Sequence, residues 1–209
     1  MRQRLIRRLI GQFHRPHGLG GRLAGWVMAH RSSNRGRNLW VVSLLDVKPD
    51  DRVLEIGFGP GIAIGALSRL VTRGRVFGVD HSDVMVGVAT RRNAAAIRSG
   101  RVELRRASVD HLPSFGDPLD KIVAVNSMGF WPDPPRRLEQ LRGMLRTGGE
   151  IAIASQPRCP GATDATSQRA ASEITAALEE AGFSHLRVET LPLDPPVVCV
   201  VGVNDRPRG

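Results

Sequence analysis

The chain has 209 residues, 41% of them apolar and 24% charged, enough for one domain (1–209) with a full core. It contains no run of 18 or more apolar residues, so no spanning helix is expected. The leading stretch MRQRLIRRLIGQFHRPHG is too interrupted by arginine to form the apolar core of a secretory signal. Cys159 and Cys199 make neither a CxxC pair nor a disulfide framework, and a cytoplasmic protein is expected.

The formal net charge of +10 is unevenly placed. Nine arginines (Arg2, Arg4, Arg7, Arg8, Arg15, Arg22, Arg31, Arg35 and Arg37) precede the first acidic residue, Asp46, and the other 21 basic groups are met by 20 acidic ones. Residues 1–40 therefore read as a basic arm on a nearly neutral body, which gives no support to a nucleic-acid surface across the body. Within the arm Leu5, Ile6, Leu9, Ile10 and Phe13 recur on one helical face. Three uses of that face stay open: a lid over an active site, a homodimer contact, or peripheral contact with an anionic membrane.

In chain order, short Val- and Ile-rich runs at 52–57, 75–80, 101–107, 121–126 and 150–155 read as strands. Helical patterns at 61–71, 82–98 and 134–146 lie between them, which predicts a mostly parallel sheet covered on both faces. Thr163-Asp164 caps a helix that Gly182 stops, with Ile174, Ala177, Leu178 and Ala181 as its buried stripe. The last runs, 185–190 and 196–203, are separated only by LPLDPP and should pair antiparallel. Cys199, inside VVCVVGV, is expected to be a small buried hydrophobe. The expected fold is α/β, a doubly wound, Rossmann-like sheet of seven strands with an antiparallel terminal strand.

The first strand runs straight into EIGFGPG, where Gly57, Gly59 and Gly61 alternate. Glycines past the carboxyl end of a parallel strand let backbone approach a ligand and turn N–H groups toward it. A dinucleotide site would want its third glycine at position 62, which is Ile62. The spacing G-x-G-x-G, with Glu55 two residues ahead, resembles the first motif of class I S-adenosylmethionine (SAM)-dependent methyltransferases, and more closely their small bacterial "methyltransferase type 11" group. The resemblance covers roughly residues 25 to 190. It continues through Asp80 at the end of the second strand, ASVDHLP (107–113), VNSMGFWPDP (125–134), LRTGGEIAIA (145–154) and LEEAGF (178–183).

The resemblance implies SAM as cofactor. Its methionine end would lie over Gly57, Phe58, Gly59 and Gly61 with Glu55 behind them, its ribose on Asp80 beside His81, and its adenine near Met85, Ser108 and Val109. The backbone at Asn126 would face the methionine part. Ser108 stands where the family usually has Asp, which weakens the expected hold on the adenine amino group. Asn34 and Asn38 are similar to asparagines of the family's pre-core segment and could orient the acceptor or the methionine carboxylate.

Methyl transfer from a sulfonium needs mainly alignment, so no catalytic residue is obligatory. His30 is the candidate base, should the acceptor have to lose a proton. No cluster of His, Cys and carboxylates has metal-ligand spacing, and no metal is expected. The Asp/Asn-Pro-Pro-aromatic motif of amino-methylating nucleic-acid enzymes is missing, since the fourth strand ends in Asn126-Ser127-Met128-Gly129. The expected acceptor is a small molecule, methylated on O, C or N. An RNA methyltransferase that uses the arm as its clamp and a non-catalytic SAM-binding protein are the alternatives.

Overall fold

A computed structural model describes residues 32–205 of the protein. Its centre is a seven-stranded sheet in the order β3-β2-β1-β4-β5-β7-β6. Five strands run parallel: β1 (Arg52–Ile56), β2 (Arg75–Asp80), β3 (Val102–Arg106), β4 (Leu119–Val125) and β5 (Leu145–Ser155). The final strand, β7 (Val197–Asn204), slots antiparallel between β5 and β6 (Ser184–Leu191). The expected pairing of the last two strands is therefore observed, with the antiparallel strand one place in from the edge.

Successive strand residues point to opposite faces, and both faces of this sheet carry a core. Leu54, Ile56, Phe77, Ile122 and Ile151 pack on one side with Leu138, Leu141, Ile174 and Leu178. These last four come from α5 (Pro134–Met144) and α6 (Asp164–Glu180). On the other side Val53, Val76, Val123 and Ala152 meet α1 (Ser32–Ser43), α2 (Ile62–Leu70), α3 (Asp83–Arg92) and α4 (Ala94–Arg98) through Val41, Leu67, Ala89 and Ala96. Burial on both faces explains why the central strands β1, β2 and β4 read as mostly apolar runs. Cys199 lies fully buried in β7, and burial pushes its thiol up to about 12, in keeping with an inert packing residue.

Two elements differ from the sequence pattern. The single helix expected over 82–98 is broken at Asn93, whose Nδ2 donates to Ala89 O (2.9 Å) and Gly61 O (3.1 Å). That side chain stops α3 and ties it to the glycine loop. The fifth strand begins at Leu145, because residues 146–149 form a bulge between the pairs Leu119↔Leu145 and Lys121↔Glu150. Thr147-Gly148-Gly149 lies within it, with Gly148 at φ +73°.

Strand order reverses between β1 and β4, so the loops after these two strands diverge and leave a crevice at their carboxyl ends. The link from β5 to α6, residues 156–163, is short.

Candidate functional site

The glycine loop follows β1 and turns into α2. Its three glycines all have positive φ, yet each is required for a different reason. A Cβ on Gly57 (φ +72°) would stand 2.5 Å from Ser127 Cβ, across the switch point from β1. On Gly61 (φ +72°) it would meet Ala89 Cβ and Asn93 Nδ2, both at 2.7 Å. On Gly59 (φ +50°) it would meet nothing within 4 Å. Gly57 and Gly61 thus let the loop pack against protein, and only Gly59 faces open space. Phe58, 3% exposed, anchors the loop in the core formed with α2.

Asp80, at the end of β2, holds this loop from the side. Its Oδ2 accepts from Gly59 N (2.8 Å) and its Oδ1 from Ser82 N (2.9 Å), so one carboxylate ties the loop to the start of α3. Burial pushes the Asp80 carboxyl upward, while the two backbone donors and nearby His81 oppose it. His81 Nδ1 lies 3.8 Å from Asp80 Oδ1 on a half-exposed ring. Glu55 is 1% exposed within β1, and desolvation raises its carboxyl to about 8 against one backbone N–H bond from Ile64. Its Oε2 is buried with no partner.

Beyond β3 the segment turns at Ser108, where His111 N donates to Ser108 O (3.1 Å), and Ala107 N donates to Asp80 O (3.1 Å). Val109 is buried in the α5/α6-side core, and Met85 is buried in the first turn of α3. Half-buried Ser108 donates its hydroxyl to Asp110, which, with neighbouring basic groups, holds that carboxyl below the usual range.

At the end of β4, Asn126 adopts φ +54°, an uncommon conformation for a residue with a side chain. Its Oδ1 accepts from Gln156 N (2.7 Å), and its Nδ2 is buried with no partner. Ser127 Oγ donates to Ile56 O (2.8 Å) and so stitches the β4 loop to the β1 loop. The structure therefore places Glu55, Gly57, Gly59, Gly61, Asp80, His81 and Asn126 at or just beyond the carboxyl ends of β1, β2 and β4, with Ser108 beyond β3, while Phe58, Met85 and Val109 are buried in the packed core. His30 and the apolar arm face lie outside the described residues.

Sequence reasoning missed Ser127, Asn93, Arg37 and Gln156. Arg37 had been counted with the charge of the arm, but residues 32–43 form α1, and Arg37 is 2% exposed there. The helical spacing of Asn34, Arg37 and Asn38 is the signal that places them together. Asn38 Nδ2 donates to Asn34 O at 2.7 Å. Among the described residues, no group of three or more His, Cys, Asp or Glu is placed to hold a metal, and no helix is long and apolar enough to cross a membrane.

A family model described as "Methyltransferase domain" matches residues 53–149, from β1 into the β5 bulge. The chain is 28% identical over 178 residues to "Uncharacterized methyltransferase YdaC" of Bacillus subtilis (strain 168), covering 85% of this chain and 95% of that protein. It is 34% identical over 110 residues to "Methyltransferase GfsG" of Streptomyces halstedii, covering 53% of this chain but only 39% of that protein. A SAM-dependent methyltransferase from Aquifex aeolicus shares the fold at a TM-score of 0.63 and 22% identity, over 79% of this chain and 88% of that one. In sequence and fold the protein is similar to the class I SAM-dependent methyltransferases. It is an enzyme of that class, and SAM is its cofactor.

The crevice fits that cofactor on three observations. The backbone at Gly59 is bare and faces open space. The buried Asp80 carboxylate stands beside it. On either side of the switch point, Glu55 Oε2 and Asn126 Nδ2 are buried without partners.

Proposed function

We propose that the enzyme methylates a small, largely apolar acceptor seated at the end of β4. The observation that carries this reading is the loop there, which offers apolar side chains where a nucleic-acid enzyme would stack a base. A short 3-10 turn, Met128–Phe130, follows Ser127, and Phe130 is 58% exposed. Met128 packs on the core beneath, and Trp131 is buried. Pro134 and Pro135 are taken up in starting α5, with Asp133 as N-cap, and so are not placed to contact an acceptor.

When bound, SAM supplies a methyl group already activated by its positive sulfur. Within the proposal, the protein's share is alignment. Asp80 holds the ribose hydroxyls while its two backbone bonds fix the carboxylate. The bare backbone at Gly59 admits the methionine end, and Asn126 aims its Nδ2 from a conformation set by the bonds to Gln156 N and Ala154 O. Apolar groups at Met128 and Phe130 exclude water from the acceptor's approach. Holding acceptor and methyl in line supplies most of the rate gain such a transfer requires.

The test is transfer of labelled methyl from SAM, with a small-molecule extract and total RNA offered in parallel. Label should enter the small-molecule fraction, and Phe130→Ala should raise the acceptor KM while leaving SAM affinity unchanged. Label confined to RNA would overturn the proposal.

A further inference from the structure

The sheet has two edges, and they are built differently. At one, β3 carries no large apolar side chain exposed to solvent. At the other, β6 has β7 as its one strand neighbour among the described residues, and Val188 in its middle is 51% exposed. An open edge offers a row of backbone N–H and C=O groups to another strand. The irregularity in β6 lies at its start, between Ser184 and Arg187, where His185 takes φ +49°. From Arg187 to Leu191 the strand keeps register with β7, and no described strand pairs with its outer side.

Alternation along β6 sends different chemistry to its two faces. Val188 and Thr190 border a cleft of about 450 Å³ whose helix wall is Ala171, Ser172, Thr175 and Ala176 of α6. Arg187 and Glu189 lie on the opposite face, where they pair with each other at 3.1 Å and stay exposed. Arg187 also donates to Leu44 O, just beyond α1.

The order Arg187-Val188-Glu189 is complementary to itself under a two-fold axis that passes through Val188 normal to the sheet. When β6 pairs antiparallel with a second β6 about this axis, Val188 lies opposite its own copy. Arg187 of each strand then lies opposite Glu189 of the other. Opposite charges facing each other across antiparallel strands stabilise the pairing, and like charges destabilise it. Moving the axis by one residue sets either Arg187 or Glu189 against its own copy, so the charges select a single register. On the other face the two clefts join over the paired valines, with small side chains on both helix walls.

We infer that β6 is the contact of a symmetric dimer, in which two copies of this chain join their sheets edge to edge. Such an interface is isologous and closes on itself, so it covers both open edges and leaves none to recruit further copies. The crevice stays free in each copy, because β5 and β7 separate β4 from β6.

Sedimentation velocity on the full chain, over a range of concentrations, would compare the native protein with Arg187→Glu and Glu189→Arg, each alone and the two mixed. The native chain should sediment as a dimer. Either variant alone sets like charges together at both contacts and should weaken dimerisation by about tenfold or more. Mixed in equal amounts, the two variants regain opposite charges at both contacts and should form a heterodimer of near-native affinity. Loss of folding in the variants cannot produce that recovery. A chain carrying Cys159→Ser and Val188→Cys supplies a second measurement. Paired Cα atoms about 4.5–5.5 Å apart are within disulfide reach, and Cys199 is buried, so mild oxidation should link two copies through position 188. A monomeric native chain, whether its edge is bare or covered by residues 1–31, would overturn the inference. So would a dimer that ignores both charge variants and gives no link at position 188.

Discussion

Substituting alanine at Gly57, Gly59 and Gly61 in turn separates packing from ligand access within one five-residue loop. All three positions have positive φ, so each alanine carries a backbone cost of about 1–2 kcal/mol. At Gly59 that is the whole structural cost, because the added methyl meets nothing within 4 Å. At Gly57 the methyl lands 2.5 Å from Ser127 Cβ, and at Gly61 2.7 Å from Ala89 Cβ, so the β4 loop or α3 must shift. Overpacking of this kind adds about 1–3 kcal/mol. With Tm falling roughly 2–4 °C per kcal/mol in a chain of this length, Gly59→Ala should lose a few degrees and the other two close to ten. Cofactor binding should run in the opposite order. Gly59→Ala puts its methyl where the cofactor passes and should weaken SAM tenfold or more, while the folded fraction of Gly57→Ala should bind comparatively well. Adding Ser127→Gly to Gly57→Ala should return part of the lost Tm. Scanning calorimetry and SAM titration check both orders. A Gly59→Ala protein with native SAM affinity would refute the assignment of the loop to the cofactor.

Asp80→Ala should weaken SAM by about 1.5–3 kcal/mol, the scale of hydrogen bonds to a charged group, and an unchanged Kd in titration would remove the ribose assignment. Glu55 is held neutral in the fold up to about pH 8 but ionises near its ordinary value when unfolded. Its contribution to stability is therefore complete below about pH 4.5 and lost as pH rises through 8. Glu55→Gln should flatten the fall of Tm between pH 5.5 and 8.5, and an identical slope in the variant would show that Glu55 is not the titrating group. Transfer from a sulfonium asks no metal of the chain, so turnover should withstand EDTA, and loss of activity restored by magnesium would contradict this. Deleting residues 1–20 should raise the acceptor KM and spare SAM affinity if the arm covers the crevice. Full activity with loss of liposome binding would assign the arm to a membrane surface instead.

The centre of the sheet was legible because β1, β2, β4 and β7 keep both faces in a core, so apolar runs mark these strands without help from their neighbours. What escaped was decided by single long-range contacts. The break at Asn93 depends on a bond to Gly61 O, 32 residues away, and nothing in the local pattern of 82–98 announces it. The bulge that starts β5 early is a matter of register against Leu119 and Lys121, which local composition does not encode. Gly57 looked like a ligand-facing glycine from its spacing, but its neighbour is Ser127, 70 positions further along and adjacent only because β1 and β4 pair.

The candidate site divides along the same line. Residues carried by strand ends and the glycine loop, Glu55, Gly59, Asp80 and Asn126, could be found in sequence because parallel topology sends every strand's carboxyl end to one edge. Arg37 could not, because nine early arginines with no acidic residue among them suggest a solvated arm, and charge counting cannot distinguish a solvated guanidinium from a buried one. Its burial follows from the apolar half of α1, where Val41 and Val42 pack in the core with α2 and draw the preceding helical turn over the ends of β4 and β5. Gln156 sits there only because β5 stops at Ser155. The bond between Arg37 and Gln156 is thus assembled by the same packing that closes one face of the sheet. Disrupting it through Val41→Ala should therefore loosen the Arg37 network along with the helix, which a fall in Tm measured by scanning calorimetry would report.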